Sequence, residues 1–143
     1  MQTSNSIEIP LTIDVVSQLY TCHEQLPKWS PGFISLDLME GNRGDVGSIY
    51  EQRYRFKEKE IVERITILAL DVPNRIHLLS QGQSKLIRES VITFDSIGFS
   101  ATKLTVENEF RGEVVEYLIQ EELYGYTKQF LEVFRDFALR KNI

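Results

Sequence analysis

The stretch GEVVEYLIQEELYGYTKQFLEVFRDFALR, residues 112–140, decides how this chain is read. Val115, Leu118, Ile119, Leu123, Tyr126, Phe130, Val133, Phe134 and Phe137 recur there at helical spacing and draw one wide apolar stripe. Glu113, Glu116 and Glu121 gather near its start, and Lys128, Arg135, Arg140 and Lys141 near its end. That distribution suits the helix dipole at both termini. The pattern predicts a helix from about Glu113 to Arg140, roughly 40 Å long at 1.5 Å per residue. So broad an apolar face needs a large partner.

The partner lies upstream, where the hydrophobic period is two rather than 3.6. Phe33 to Met39, Gly47 to Phe56, Glu60 to Asp71, Arg75 to Gln81, Ser84 to Asp95 and Ser100 to Phe110 read as six strands. Tight polar turns such as Lys57-Glu58-Lys59 and Ser96-Ile97-Gly98 separate them, as in an antiparallel meander. Before them comes a short strand, Ser6 to Leu11. A helix follows from the N-cap candidate Thr12 to about Cys22, then a second helical piece from His23 to Trp29. Ser30-Pro31-Gly32 closes that piece. The order is β-α-α-β6-α, an α+β chain whose curved antiparallel sheet wraps around a long C-terminal helix. One helix cannot cover such a sheet from edge to edge, so an internal cavity is expected within a single domain spanning 1–143.

Composition narrows the classes further. At 143 residues, 42% hydrophobic and 26% charged, the chain is an ordinary globular length and mix. A net charge of -5, with scattered basic residues, argues against nucleic acid as a partner. No apolar run reaches the roughly 18 residues of a membrane span, so no stable membrane insertion is expected. The start, Met1-Gln2-Thr3-Ser4-Asn5-Ser6, lacks the features of a signal peptide, and the expectation is a cytoplasmic protein. A single cysteine, Cys22, forms no internal disulfide and reads as a small apolar side chain. His23 and His77 lie on different elements without metal-ligand spacing, so neither a metal nor another cofactor is expected.

Three local stretches carry a resemblance. Leu26-Pro27-Lys28-Trp29-Ser30-Pro31-Gly32, Gly44-Asp45-Val46-Gly47-Ser48 and Asp71-Val72-Pro73-Asn74-Arg75-Ile76 look like turn markers of one known fold. With the element order, they make the chain resemble the START/birch-allergen-like helix-grip superfamily (SRPBCC), in its bacterial polyketide cyclase/dehydrase-like and lipid-transport branch. The resemblance implies a cavity for a hydrophobic ligand. It admits a homodimer, since some relatives pair through strand edges or helices. Its members include carriers, sensors, chaperone regulators and a minority of cyclases, so it does not choose the function.

Strand alternation assigns the residues that face the cavity. Thr102, Leu104, Val106, Asn108 and Phe110 should point in, as should Leu86, Arg88, Ser90, Ile92 and Phe94. So should Tyr50, Gln52, Tyr54 and Phe56. On the strand between, Val62, Arg64, Thr66, Leu68 and Leu70 are placed inside, with Glu63, Ile65 and Ile67 on the wet face. The apolar pair Ile65 and Ile67 fits that phase poorly, and a bulge would reverse part of the strand. Glu122 falls within the helix stripe beside Tyr126, and Trp29 is expected at the mouth of the cavity.

The candidate ligand-binding set is therefore Arg64, Arg88, Tyr50, Gln52, Tyr54, Ser90, Glu122, Tyr126 and Trp29, with no catalytic residue assigned. Two readings of its charges stand side by side. An arginine pairs internally with Glu122, or one arginine grips a ligand carboxylate or phosphate with its fork of donors.

The first functional expectation is non-catalytic binding of a small hydrophobic molecule, lipid- or polyketide-like, with one polar or acidic end. The first two helices and the turns facing the C-terminal half of the long helix would form the entrance. One rival is a cyclase or dehydratase using Tyr50, Tyr54 or His77 as an acid or base. The other is a protein-interaction module with a closed cavity and an exposed apolar patch.

Overall fold

The structure, a computed structural model, describes residues 1–82, 85–112, 115 and 118–141. Strand β1 (Gln2–Ile9) leads into helix α1 (Ile13–Thr21), a short 3-10 turn (His23–Gln25) and helix α2 (Leu26–Trp29). Six strands follow: β2 (Phe33–Glu40), β3 (Ile49–Phe56), β4 (Lys59–Asp71), β5 (Arg75–Gly82), β6 (Ile87–Ile97) and β7 (Ala101–Arg111). Helix α3 (Gln120–Lys141) ends the chain. The seven strands form one antiparallel sheet in the order β1-β7-β6-β5-β4-β3-β2.

The element order matches the sequence reading, with three adjustments. β1 begins nearer the N-terminus than Ser6, because its register against β7 runs from Gln2↔Glu109 to Ile9↔Thr102. Thr12 is the N-cap of α1, but its side chain makes no capping hydrogen bond. α3 starts at Gln120 rather than near Glu113, and Leu118 and Ile119 are not helical. The expected start at Glu113 and the strand start at Ser84 lie outside the described residues. Gly32 shows why a breaker stands before β2. It adopts φ +69, its carbonyl accepts from Arg55 N–H at 2.8 Å, and a Cβ there would run into the Arg55 carbonyl.

Faces are set by register, since directly paired residues on adjacent strands share a face. On β7, Thr102, Leu104, Val106, Asn108 and Phe110 are all buried, and Ser90, Ile92 and Phe94 follow on β6. β4 corrects the sequence reading. Tyr50 pairs with Ile65, Gln52 with Glu63 and Tyr54 with Ile61, so the odd-numbered residues of β4 share the inner face. Glu63 and Ile67 are buried, whereas Arg64 and Leu68 are exposed on the other side. A register shift between Ile67 and Ala69 then returns Leu70 to the inner face, opposite Ile76.

The sealed core occupies one end of the interior. Ile9, Ile76, Ile92, Phe94 and Leu104 on the sheet pack with Val16, Trp29, Leu131, Phe134, Phe137 and Ala138 on the helices. Trp29 stacks edge-on to Phe134 at 4.7 Å and to Phe130 at 5.0 Å, with Tyr20 beside them. Trp29 is only 3% exposed, so it belongs to this core and not to a cavity mouth. The first two helices, expected with the turns facing the C-terminal half of α3 to form the entrance, pack onto α3 through Tyr20, Trp29, Phe130 and Phe134. No described helix is long and apolar enough to cross a membrane.

Candidate functional site

The opposite half of the inner face is polar. Its centre is Arg88, whose Nη2 donates to Glu63 Oε1 at 2.8 Å and to Ser80 Oγ at 3.1 Å. Ser80 and Arg88 are register partners on β5 and β6, while Glu63 comes from β4, one strand further. Gln52 Nε2 reaches the same Glu63 oxygen at 3.4 Å. Tyr54, two residues along β3 from Gln52, lies close enough to Arg88 for the two to influence each other's ionisation. Beside this group, Ser90 Oγ donates to Asn108 Oδ1 at 2.6 Å.

The electrostatics follow from this geometry. Burial by itself would lower the Arg88 pKa, but the Glu63 carboxylate and Tyr54 hold it above its ordinary value. Arg88 is therefore a fixed cation, paired with Glu63 at 2.8 Å. Tyr54 is pushed up to about 12, first by burial and then by Glu63, so its phenol stays protonated at neutral pH. Burial raises Tyr126 in the same way.

Several expected residues meet here, and others do not. Arg88, Gln52, Tyr54 and Ser90 lie in the polar half. Tyr126 reaches it from α3, with its ring 4.9 Å from Phe56. Arg64 does not, because the phase of β4 turns it outward. The Arg–Glu122 pair is not formed. Glu122 accepts from Lys57 Nζ at 2.9 Å at the protein surface, since the apolar stripe turns past it toward Thr127 and Leu131. Tyr50 is buried, and its hydroxyl accepts from Gly44 N–H at 2.7 Å in the β2–β3 turn. His77 lies on the outer face, where Nε2 meets Glu89 Oε1 at 2.7 Å and Arg111 holds the other Glu89 oxygen.

Glu63 and Ser80 were missed by sequence reasoning. The signal for Glu63 was the misplaced Ile65 and Ile67 pair; Ser80 gave none.

One property of the polar half sets it apart from the aromatic end. Arg88 is held on the inner face by Glu63 and Ser80, yet 26% of its side-chain surface stays accessible. Gln52, Tyr54, Phe56, Ile65, Leu78 and Tyr126 are likewise only partly buried although they face inward. Side chains at the sealed end are closed off almost completely, Phe134 at 0% and Phe94 at 2%.

The chain has the helix-grip fold. The solved structures it resembles are proteins of the START/birch-allergen-like superfamily. A protein from Chromobacterium violaceum shares 17% identity, with 96% of each chain covered and a TM-score of 0.78. Norcoclaurine synthase from Thalictrum flavum, solved with dopamine and hydroxybenzaldehyde, shares 16% over 98% of this chain and 87% of its own, with a TM-score of 0.73. The di-domain ARO/CYC StfQ from the steffimycin biosynthetic pathway matches 98% of this chain at 13% identity and a TM-score of 0.82, and 46% of its own length is covered. No family model matches the chain, and no curated protein matches it. At these identities the likeness establishes the fold.

Proposed function

We propose that this chain is a single ligand-holding domain that binds a small, largely apolar molecule between α3 and the polar half of the sheet, and releases it unchanged. The observation that carries this reading is the deep but accessible Arg88–Glu63 group at one end of an interior whose other end is sealed. An ion pair that is held deep yet stays partly accessible offers a polar contact to whatever enters beside it. Inward side chains that are only partly buried, such as Phe56 and Tyr126, supply apolar walls beside it. The fold supports the same use, since one neighbour was solved with two small aromatic compounds. An arginine grip on an acidic end is not the reading carried forward, because Arg88 Nη2 already donates to Glu63 and Ser80 and its charge is paired with Glu63.

The test is native mass spectrometry of freshly purified protein, with extraction and identification of any molecule carried. A bound apolar compound recovered unchanged is the expected result. Recovery of a cyclised or dehydrated product from a supplied polyketide would overturn it and point to the cyclase reading, with Tyr54 as the proton donor. Of Tyr50, Tyr54 and His77, it alone has a phenol in the polar half.

A further inference from the structure

We propose that the polar end received by this interior is an uncharged hydroxyl, taken by Thr3 and Asn5 on β1, and not a carboxylate. The inference rests on the apolar-ligand reading and names its chemistry. Its first support is charge. The inner-face cation and anion among the described residues, Arg88 and Glu63, are matched to each other. A carboxylate ligand would displace Glu63 or stand beside it, leaving one buried charge without a partner.

The second support is the set of buried side-chain groups that, among the described residues, hold no hydrogen bond: Thr3 Oγ1, Asn5 Oδ1, Gln25 Oε1 and Trp29 Nε1. All four are uncharged. Two of them stand together, since Thr3 and Asn5 are successive inward residues of β1, opposite Asn108 and Val106. They are 6% and 4% exposed. The orientation of Asn5 is fixed by chemistry. Its Nδ2 lies 3.1 Å from the Tyr124 carbonyl, which can only accept, so Oδ1 is the atom turned away. Oδ1 can only accept, whereas the Thr3 hydroxyl can do either. A ligand hydroxyl answers both, donating to Oδ1 and accepting from Thr3. A carboxylate has no proton for Oδ1, and an ammonium adds an unmatched charge.

Position agrees with chemistry. Asn108 faces Thr3 on one side and Ser90 on the other, so Thr3 continues a polar row whose Ser90 stands two residues along β6 from Arg88. Thr3 also lines a cleft of about 290 Å³ between β1 and the first turn of α3, with Gln2, Ser4, Gln120, Glu121 and Tyr124. A buried polar group left without a partner costs about 1–3 kcal/mol, so occupying both is favourable.

A matched series tests this: 2-naphthol, 2-naphthoate and naphthalene, titrated by calorimetry at neutral pH into the full chain and its Thr3→Val variant. The expected order is naphthol tightest, by about tenfold over naphthoate, with Thr3→Val weakening naphthol about fivefold and leaving naphthalene unchanged. Thr3→Val keeps the shape and removes an unpaired buried hydroxyl, so the variant folds; Asn5→Leu, which loses the Tyr124 bond, is the second arm. Naphthoate binding as tightly as naphthol, or Thr3→Val weakening all three alike, would overturn the proposal. So would a naphthol complex with only water at Thr3 and Asn5. If none of the three binds, the apolar-ligand reading falls, and this inference with it.

Discussion

Arg88 on β6 and Glu63 on β4 meet at 2.8 Å across a strand to which neither belongs. The intervening strand, β5, contributes Ser80 beneath them, a side chain small enough to be bridged and polar enough to accept from the guanidinium. The pair ties three strands together on the inner face.

Breaking that pair from one side is expected to cost about 3–5 kcal/mol, because the remaining charge stays buried. Glu63→Gln and Arg88→Met should each lower the urea midpoint sharply. The double variant should recover most of the loss. A double-mutant cycle by equilibrium unfolding checks this, and additive losses would show that the two residues are not coupled.

The surface link between Lys57 and Glu122 should behave oppositely. Both side chains are more than half exposed, at 61% and 52%, so the bond competes with water and salt. Lys57→Ala is expected to change stability by no more than about 0.5 kcal/mol. Thermal unfolding at low and high salt would measure it.

Tyr50→Phe removes the acceptor for the Gly44 N–H and nothing else in that turn. The expected cost is about 1 kcal/mol. Hydrogen exchange at the Gly44 amide should quicken while the β6 and β7 amides keep their protection. Equal acceleration throughout would place the role of Tyr50 in packing.

His23 introduces a pH dependence. Burial, and then the Arg43 charge, lower its pKa below the ordinary 6.5, and its ring stands edge-on to Tyr50 at 5.1 Å. The unfolded chain therefore takes up the proton first as the pH drops. The stability contributed by neutral His23 is present above about 6.5 and is lost as the pH falls through that value toward the lowered one. Urea midpoints at pH 8 and pH 5.5 should differ more for the parent chain than for His23→Gln.

Much of this is legible in the sequence alone. Charge and apolar character separate cleanly on β7, where Lys103, Glu107 and Glu109 leave Leu104, Val106 and Phe110 to the core. β6 and the second half of α3 separate nearly as well. Where water and core each take one kind of residue, the period alone assigns the face. The order of elements, the inward placement of Arg88, Ser90, Gln52 and Tyr54, and the long helix as the sheet's partner follow from that.

β4 was undecidable by the same rule. Ile61, Glu63, Ile65 and Ile67 form one set, and Val62, Arg64, Thr66 and Leu68 the other, each with a charge among apolar residues. A buried charge is tolerable on whichever face holds its partner, and that partner lies two strands away. Pairing with β3 and β5 and the shift at Ile67 chose the phase, which put Glu63 against Arg88 and turned Arg64 to solvent. Periodicity reports how one element divides between core and water. Which charges meet, and which groups on β1 are left without a partner, depends on strands brought together from distant parts of the chain, and only the tertiary structure decides that.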